Sequence, residues 1–217
     1  MAGDLDVSGK DPGSVKEALT SVVSLLAIRQ QVPGGNLLYS QQPKVMLTAE
    51  ATAGSDWKSS WATLPGMWSS ILVTRNLLLS AGINNTEVGK DNAHSFGPAI
   101  TTSWGNDSTK NFVTLGTNYV KGPDDFYYQN INISLQKKMI IKDWQVVFGF
   151  TKHFNRLEIN VKDNPDPENN YKCEKRISLN HIRAGVYKKF EHLAYGLEAN
   201  VSRQLVGMSL TVTGFLP

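Results

Sequence analysis

The side chains that could do chemistry in this 217-residue chain are four histidines, one cysteine and a scatter of acids. His94, His153, His181 and His192 show neither HxH nor HxxxH spacing, so no imidazole pair is set by local sequence to grip a transition metal. His94 adjoins Ser95 in an expected loop with no matching acid, and the pair reads as solvated rather than as base and nucleophile. Asp124 and Asp125 in GPDD read as turn residues. The single cysteine, Cys173, excludes an internal disulfide and any cysteine-rich metal site, and it too falls in an expected loop. No glycine loop has phosphate-cradling spacing. The expectation is a non-enzyme without cofactor or metal. The remaining candidates are Glu50, Lys138, His153 and Glu198, whose meaning depends on which face of a strand they occupy.

That face is legible in FYYQNINISLQKKM. Ile131, Ile133, Leu135 and Met139 alternate with Tyr128, Asn130, Asn132, Ser134 and Gln136, the period-2 pattern of a strand with one apolar and one polar face. Similar segments are expected at 44–54, 67–83, 95–105, 110–121, 126–140, 143–159, 175–189, 192–202 and 205–216, with a further strand sought in GGNLLYSQQ. Tight turn signals such as GND, GPDD, KD and RQ join many of them, which implies an antiparallel meander. Long strands in one meander close into a barrel to remove exposed edges. Ahead of them, Ser14 and Glu17 have capping-box spacing, and Val15, Leu19, Val22 and Leu26 recur at helical intervals, so an amphipathic helix is expected over 14–30. The expected organisation is a flexible tail at 1–13, helix and linker at 14–43, and a barrel over 44–217.

Alternation is the same whether lipid or a dry core meets the apolar face. Two features bear on the choice. Trp144, Val146, Phe148, Phe150 and Phe154 share one face. Ten residues at about 3.3 Å rise and about 40° tilt span roughly 25 Å, the height of a lipid-facing band between aromatic girdles. Trp68, Trp104, Tyr119, Tyr127 and Tyr187 also fall near strand ends, and Tyr195 lies on the apolar face of its strand. The polar faces, by contrast, carry small uncharged groups: Thr101 and Ser103, Thr114 and Asn118, Thr151 and His153, Ser209, Thr211 and Thr213. Charge is confined to Glu50, Lys138 and Glu198, which suits a narrow polar lumen better than a water-washed surface.

These features resemble the small transmembrane β-barrels of bacterial outer membranes, over residues 44 to 217. The final strand, QLVGMSLTVTGFLP, is similar to the closing strands of that family, with Phe215 near the terminus. The resemblance implies an all-β, antiparallel, up-and-down barrel of about eight to ten strands, outer-membrane location, and both chain ends on the periplasmic side. It implies a structural, anchoring or narrow-transport role, with Glu50, Lys138, His153 and Glu198 facing the lumen and Trp104, Trp144, Phe148, Phe150, Phe154 and Tyr195 facing lipid. Membrane lipid is the expected partner, with protein contacts expected through the N-terminal helix and loops 84–94 and 160–174. The polar opening MAGDLDVSGKDPGS does not read as a signal peptide, so the chain reads as unprocessed or already mature. A net charge of +3 with scattered basic residues does not point to nucleic acid. The alternative is a soluble all-β ligand-binding barrel or jelly-roll shell subunit. A lipid-modifying barrel enzyme is a third reading, and an organellar barrel a variant of the first.

Overall fold

The computed structural model describes residues 31–37, 45–55, 62–88, 91–121, 126–161 and 171–216, with Val23, Leu26 and Ala27. Ten strands run β1 (Val45–Ser55), β2 (Ala62–Thr74), β3 (Leu77–Val88), β4 (Asp91–Gly105), β5 (Thr109–Lys121), β6 (Phe126–Ile141), β7 (Trp144–Val161), β8 (Tyr171–Lys189), β9 (Leu193–Val201) and β10 (Val206–Leu216). Each pairs antiparallel with its neighbours in sequence, and β1 pairs with β10 to close the barrel. That last ladder runs without a break from Val45 opposite Leu216 to Ser55 opposite Val206, so neither terminal strand leaves a free edge.

The tenth strand is not in GGNLLYSQQ. Gly34–Leu37 forms a 3-10 turn instead, and 38–44 lie outside the described residues. The extra strand comes from dividing the expected 67–83 segment: β2 ends at Thr74, Arg75 and Asn76 turn, and β3 begins at Leu77. The inward parity is the same on both sides of this turn: Trp68 and Ser70 before it and Leu78 and Ser80 after it are all buried. Leu72 and Leu78 pack inward with Leu37 and Phe215, and Arg75 falls in the turn, which is why neither face of a single long strand read as cleanly apolar.

Splitting that segment also reorders the connections. The turns after β2, β4, β6 and β8 are short, at 75–76, 106–108, 142–143 and 190–192, and share one rim with the start of β1 and the end of β10. At the opposite rim β1, β3, β5, β7 and β9 end and the next strands begin, and there the longer connections in sequence join them.

Several expected loops are strand. His94 and Ser95 sit in β4, paired with Lys121 and Val120, and as adjacent strand residues they face opposite sides, His94 exposed and Ser95 buried. Cys173 is in β8, opposite Ile159. Most of the expected loop 84–94 is the β3–β4 ladder, which reaches Val88 opposite Asp91, and strands β7 and β8 narrow the expected loop 160–174 to 162–170. Asp124 and Asp125 lie outside the described residues. Of the expected helix at 14–30 only Val23, Leu26 and Ala27 are described, each with helical backbone. The rest of the expected helix lies outside the described residues, whose one complete helical element is the 3-10 turn.

The β6–β7 hairpin turns on two residues, and the first, Lys142, has a φ of 57°. An L-residue with a Cβ is strained there by about 1–2 kcal/mol relative to glycine. Lys142→Gly is expected to raise barrel stability by about 0.5–1 kcal/mol after the extra chain entropy of an unfolded glycine is offset. Equilibrium urea unfolding followed by tryptophan fluorescence in lipid vesicles measures it.

Candidate functional site: a lumen filled by its own chain

The inside of the barrel is polar and small-chained. Thr101 donates or accepts across to Thr114, Ser134 to Thr151, Thr52 to Ser209 and Thr48 to Thr213, each at 2.8 Å. Such hydroxyl pairs bridge neighbouring strands on the concave face with little bulk. Large side chains fit because glycine lies beneath them. The Tyr187 ring covers Gly196, where a Cβ would stand 2.1 Å from the ring, and Trp68 covers Gly82, where it would stand 2.7 Å away. Both aromatics are therefore interior and buried, not members of an outer girdle as their positions near strand ends suggested.

Inside this lumen lie residues 31–37, with Val23 and Ala27. Val23 and Ala27 are buried against Val120, Tyr128, Leu157, Ile159 and Leu179, near the long-loop rim. Deeper in, the Gln31 side-chain amide donates to His153 Nε2 at 3.2 Å and His181 Nδ1 at 3.3 Å, while Thr151 donates to Gln31 Oε1 at 3.3 Å. The two imidazoles lie 4.9 Å apart, and His153 is held from its other side by Asn130. Next, the Val32 carbonyl accepts from Arg183 at 2.6 Å, and the Gly34 amide donates to Glu198 Oε1 at 2.8 Å. Asn36 donates to Ser70 at 2.6 Å and accepts from Thr48. Finally Leu37 is buried with Met46, Leu78, Phe112, Val147, Ala194 and Phe215 at the short-turn rim.

Charge concentrates midway down. Arg183 pairs with Glu198, both fully buried, so the pair binds the segment by its backbone on each side. The Glu50 carboxylate accepts from Thr52 through Oε1, and its Oε2 has no hydrogen-bond partner among the described residues. Two glycines let the chain through: a Cβ on Gly34 would stand 2.1 Å from the Tyr187 hydroxyl, and one on Gly35 would stand 2.2 Å from Thr213 Oγ1.

Glu50, Lys138, His153 and Glu198 all lie buried on the inner face. Glu50 and Glu198 share one region across β1, β10 and β9, bridged through Thr52 and Ser209, which stands opposite Glu198. Lys138 does not join them: it lies toward the short turns, opposite Lys110. Sequence reasoning missed Arg183, His181, Gln31 and the two glycines. β8 mixes Leu179, His181, Arg183 and Tyr187 on its inner face with Ser178, Asn180 and Ile182 on its outer one, so neither parity stands out. Nothing about VPGG signals that it traverses a lumen. Among the described residues no three His, Cys, Asp or Glu side chains gather in a metal-sized group.

The outer face is the reverse. Trp104, Trp144, Phe148, Phe150, Phe154 and Tyr195 are exposed, as are Ile100, Leu115, Ile131, Ile133, Leu135, Ile182, Leu197 and Leu210. Trp104, Trp144 and Tyr195 lie toward the short-turn rim, and Phe96, Tyr119, Tyr127 and Phe154 toward the other. Just past Phe154 the outward positions become charged, with Arg156, Glu158, Glu174 and Arg176 joined by ion pairs of 2.8 to 3.4 Å. Lys152, the charge within the band, reaches over the Phe154 ring at 5.2 Å, and Lys188 over Trp144 at 5.4 Å, as snorkelling amines do.

No protein-family model and no curated protein matches this sequence. Solved structures do. A loop-deletion variant of OmpT, an outer membrane protein of Vibrio cholerae, aligns at 11% identity and TM-score 0.40 over 81% of this chain and 60% of its own. KdgM porin in complex with disordered oligogalacturonate aligns at 9% identity and TM-score 0.44, over 78% of this chain and 99% of its own. Neisserial surface protein A aligns at 13% identity and TM-score 0.35, over 79% and 96%. The neighbours are outer-membrane β-barrels. This chain is a closed antiparallel barrel of ten strands.

Removing one member of a buried ion pair leaves the other charged and unmatched, at a cost of about 3–5 kcal/mol. Arg183→Met is expected to lose that much, because it strands Glu198 and frees the Val32 carbonyl, and adding Glu198→Gln should restore part of it. The urea midpoint of the single and double variants checks the order.

Proposed function

We propose that this protein is an integral outer-membrane β-barrel serving as a structural anchor, with its lumen occupied by its own N-terminal segment. The observation that carries the membrane reading is the outer face. An exposed belt of Ile, Leu, Val and Phe encircles the barrel between two tiers of aromatics, and charged pairs begin where the upper tier ends. A water-soluble barrel with this surface would bear an apolar patch far beyond the few hundred Å² that monomers tolerate. In hydrocarbon the same belt is the favoured surface, and the unbroken ladder satisfies the backbone groups that no water could reach. A soluble ligand-binding barrel would need the apolar face inside, whereas the buried face is rich in Thr, Ser, Asn and His and holds Glu50, Lys110, Lys138, Arg183 and Glu198.

The anchoring role is favoured over transport by the fit of the lumen segment. Gly34 and Gly35 pass where no side chain would fit, and Arg183, Glu198, Ser70 and Thr48 all bind the segment. The rim where the longer connections join the strands, past the charged ends of β7 and β8, is the surface offered to protein partners.

Reconstituted into vesicles of lipids brominated along their tails, the full chain is expected to lose much of its tryptophan emission, since Trp104 and Trp144 face outward. Unquenched emission together with solubility in plain buffer would sink the membrane reading. In planar bilayers the chain is expected to be electrically silent. A steady open conductance of wild-type protein would instead favour the narrow-transport reading.

A further inference from the structure

Inside the short-turn rim the barrel is floored by an apolar plug, in which Leu37 packs with Met46, Leu78, Phe112, Val147 and Phe215. Basic side chains stand around that floor. Lys110 lies two residues before Phe112 and directly opposite Lys138 on the neighbouring strand, and Lys138 is itself opposite Val147. Lys189 holds its amine 4.8 Å from the centre of the Phe215 ring. Arg75, in the β2–β3 turn, accepts at its carbonyl from the Lys110 amine at 3.5 Å. Lys110 and Lys138 are buried on the inner face, 3% and 2% exposed. The charges that bear on Lys138 are those of Lys110 and Lys189, with Asp107 in the β4–β5 turn as the one acid. Four cations (Arg75, Lys110, Lys138 and Lys189) against that one carboxylate leave this mouth with a net charge of +3. Like charges directly opposite on adjacent strands destabilise a sheet, and burial raises the cost. Elsewhere in the lumen buried charge is matched, as Arg183 is by Glu198. Among the described residues no carboxylate lies within ion-pair distance of Lys138.

We infer that the short-turn mouth of the lumen is an anion-binding site, in which Lys110, Lys138 and Lys189 hold a dissolved phosphate-class oxyanion. An ammonium group offers three donors and no acceptor, so a set of them reads an acceptor-only ligand. Lysine binds phosphate as a point charge, and cationic side chains set round the mouth of a barrel are the arrangement that selects anions. The excess of charge fixes the class further. A phosphate group carries about −1.5 to −2 at neutral pH and offsets most of the surplus, where a single chloride would leave the larger part of it. Bound between Lys110 and Lys138, it turns their repulsion into two charge-assisted contacts with a shared partner. The lysines face inward, so the anion reaches them from the solution at that rim and not from the plane of the lipid. The site is independent of what meets the outer face. It gives a barrel occupied by its own chain a further function, as a receptor for a small anion at one end.

Calorimetric titration of inorganic phosphate into the full chain, folded in neutral detergent in chloride buffer of constant ionic strength, tests it. The expected result is saturable one-to-one binding. Lys138→Met and Lys110→Met should each weaken it about tenfold or more, the loss of one charge-assisted contact. Lys142→Met, which removes the same charge from an exposed turn on the same rim, should leave it unchanged. In chloride alone, Lys138→Met is expected to unfold at the same or higher urea than wild type, because it removes a buried repulsion. Phosphate should raise the urea midpoint of the wild type and not that of the variant. The wild-type shift needs no variant to fold, and its absence, or the absence of saturable binding, overturns the inference. So does equal weakening by Lys142→Met, the mark of a diffusely cationic rim. Repeating the titration in phosphatidylcholine vesicles with and without phosphatidylglycerol separates the sources of phosphate. Unchanged affinity is expected, and competition by the anionic lipid would overturn the assignment to a dissolved anion. None of these outcomes bears on the membrane reading, which lipid quenching decides separately.

Discussion

Everything in this molecule depends on the ladder between β1 and β10. Ten antiparallel strands curl into a tube only if the first and last find each other in register, and here they pair without interruption from one rim to the other. Closure removes the free N–H and C=O groups of an edge, and it also creates an inside and an outside that must be filled by different chemistry. The alternation along every strand then acquires its meaning, because one parity is locked inward for the whole circumference.

The inside poses the harder packing problem. A barrel of this size is too narrow for a wide channel and too wide for ten strands of Ser, Thr and Asn to fill alone. Two devices close the gap. Large rings lie flat over glycines on the neighbouring strand, as Tyr187 does over Gly196 and Trp68 over Gly82. The remaining volume is taken by the segment leading into β1, which brings its own backbone polar groups. Those groups need partners, and the buried Arg183–Glu198 pair supplies a donor to one and an acceptor to the next. A buried ion pair is a weak source of net stability. Its value here is specificity: it accepts one strand of chain at one depth.

The outside poses the opposite problem and solves it with composition alone. Exposed Ile, Leu, Val and Phe occupy the middle, aromatics the margins, and Arg–Glu pairs the extension of β7 and β8 beyond the upper margin. Strand length and the height of the apolar band are thereby decoupled, since β7 and β8 continue past the band with charged outward positions.

Much of this was legible in the sequence because period-2 alternation is a local property. The inner face of β6 from Asn130 to Gln136, and the outer face of β7 from Phe148 to Phe154, follow from residue order alone, since successive side chains on a strand must point opposite ways. Strand existence, antiparallel connection and the polarity of the interior follow with them. What the tertiary structure decided is everything that depends on which strands meet. The turn at Arg75–Asn76 was hidden because β2 and β3 keep the same inward parity across it, so the alternation runs through the turn unbroken. Trp68 and Tyr187 took the inside because glycines on adjacent strands made room, a relation between residues far apart in sequence. Gln31, Gly34 and Asn36 became lumen residues because closure left a cavity that their segment fills. No periodicity in VPGGN encodes that, since an interior exists only after the last strand has paired with the first.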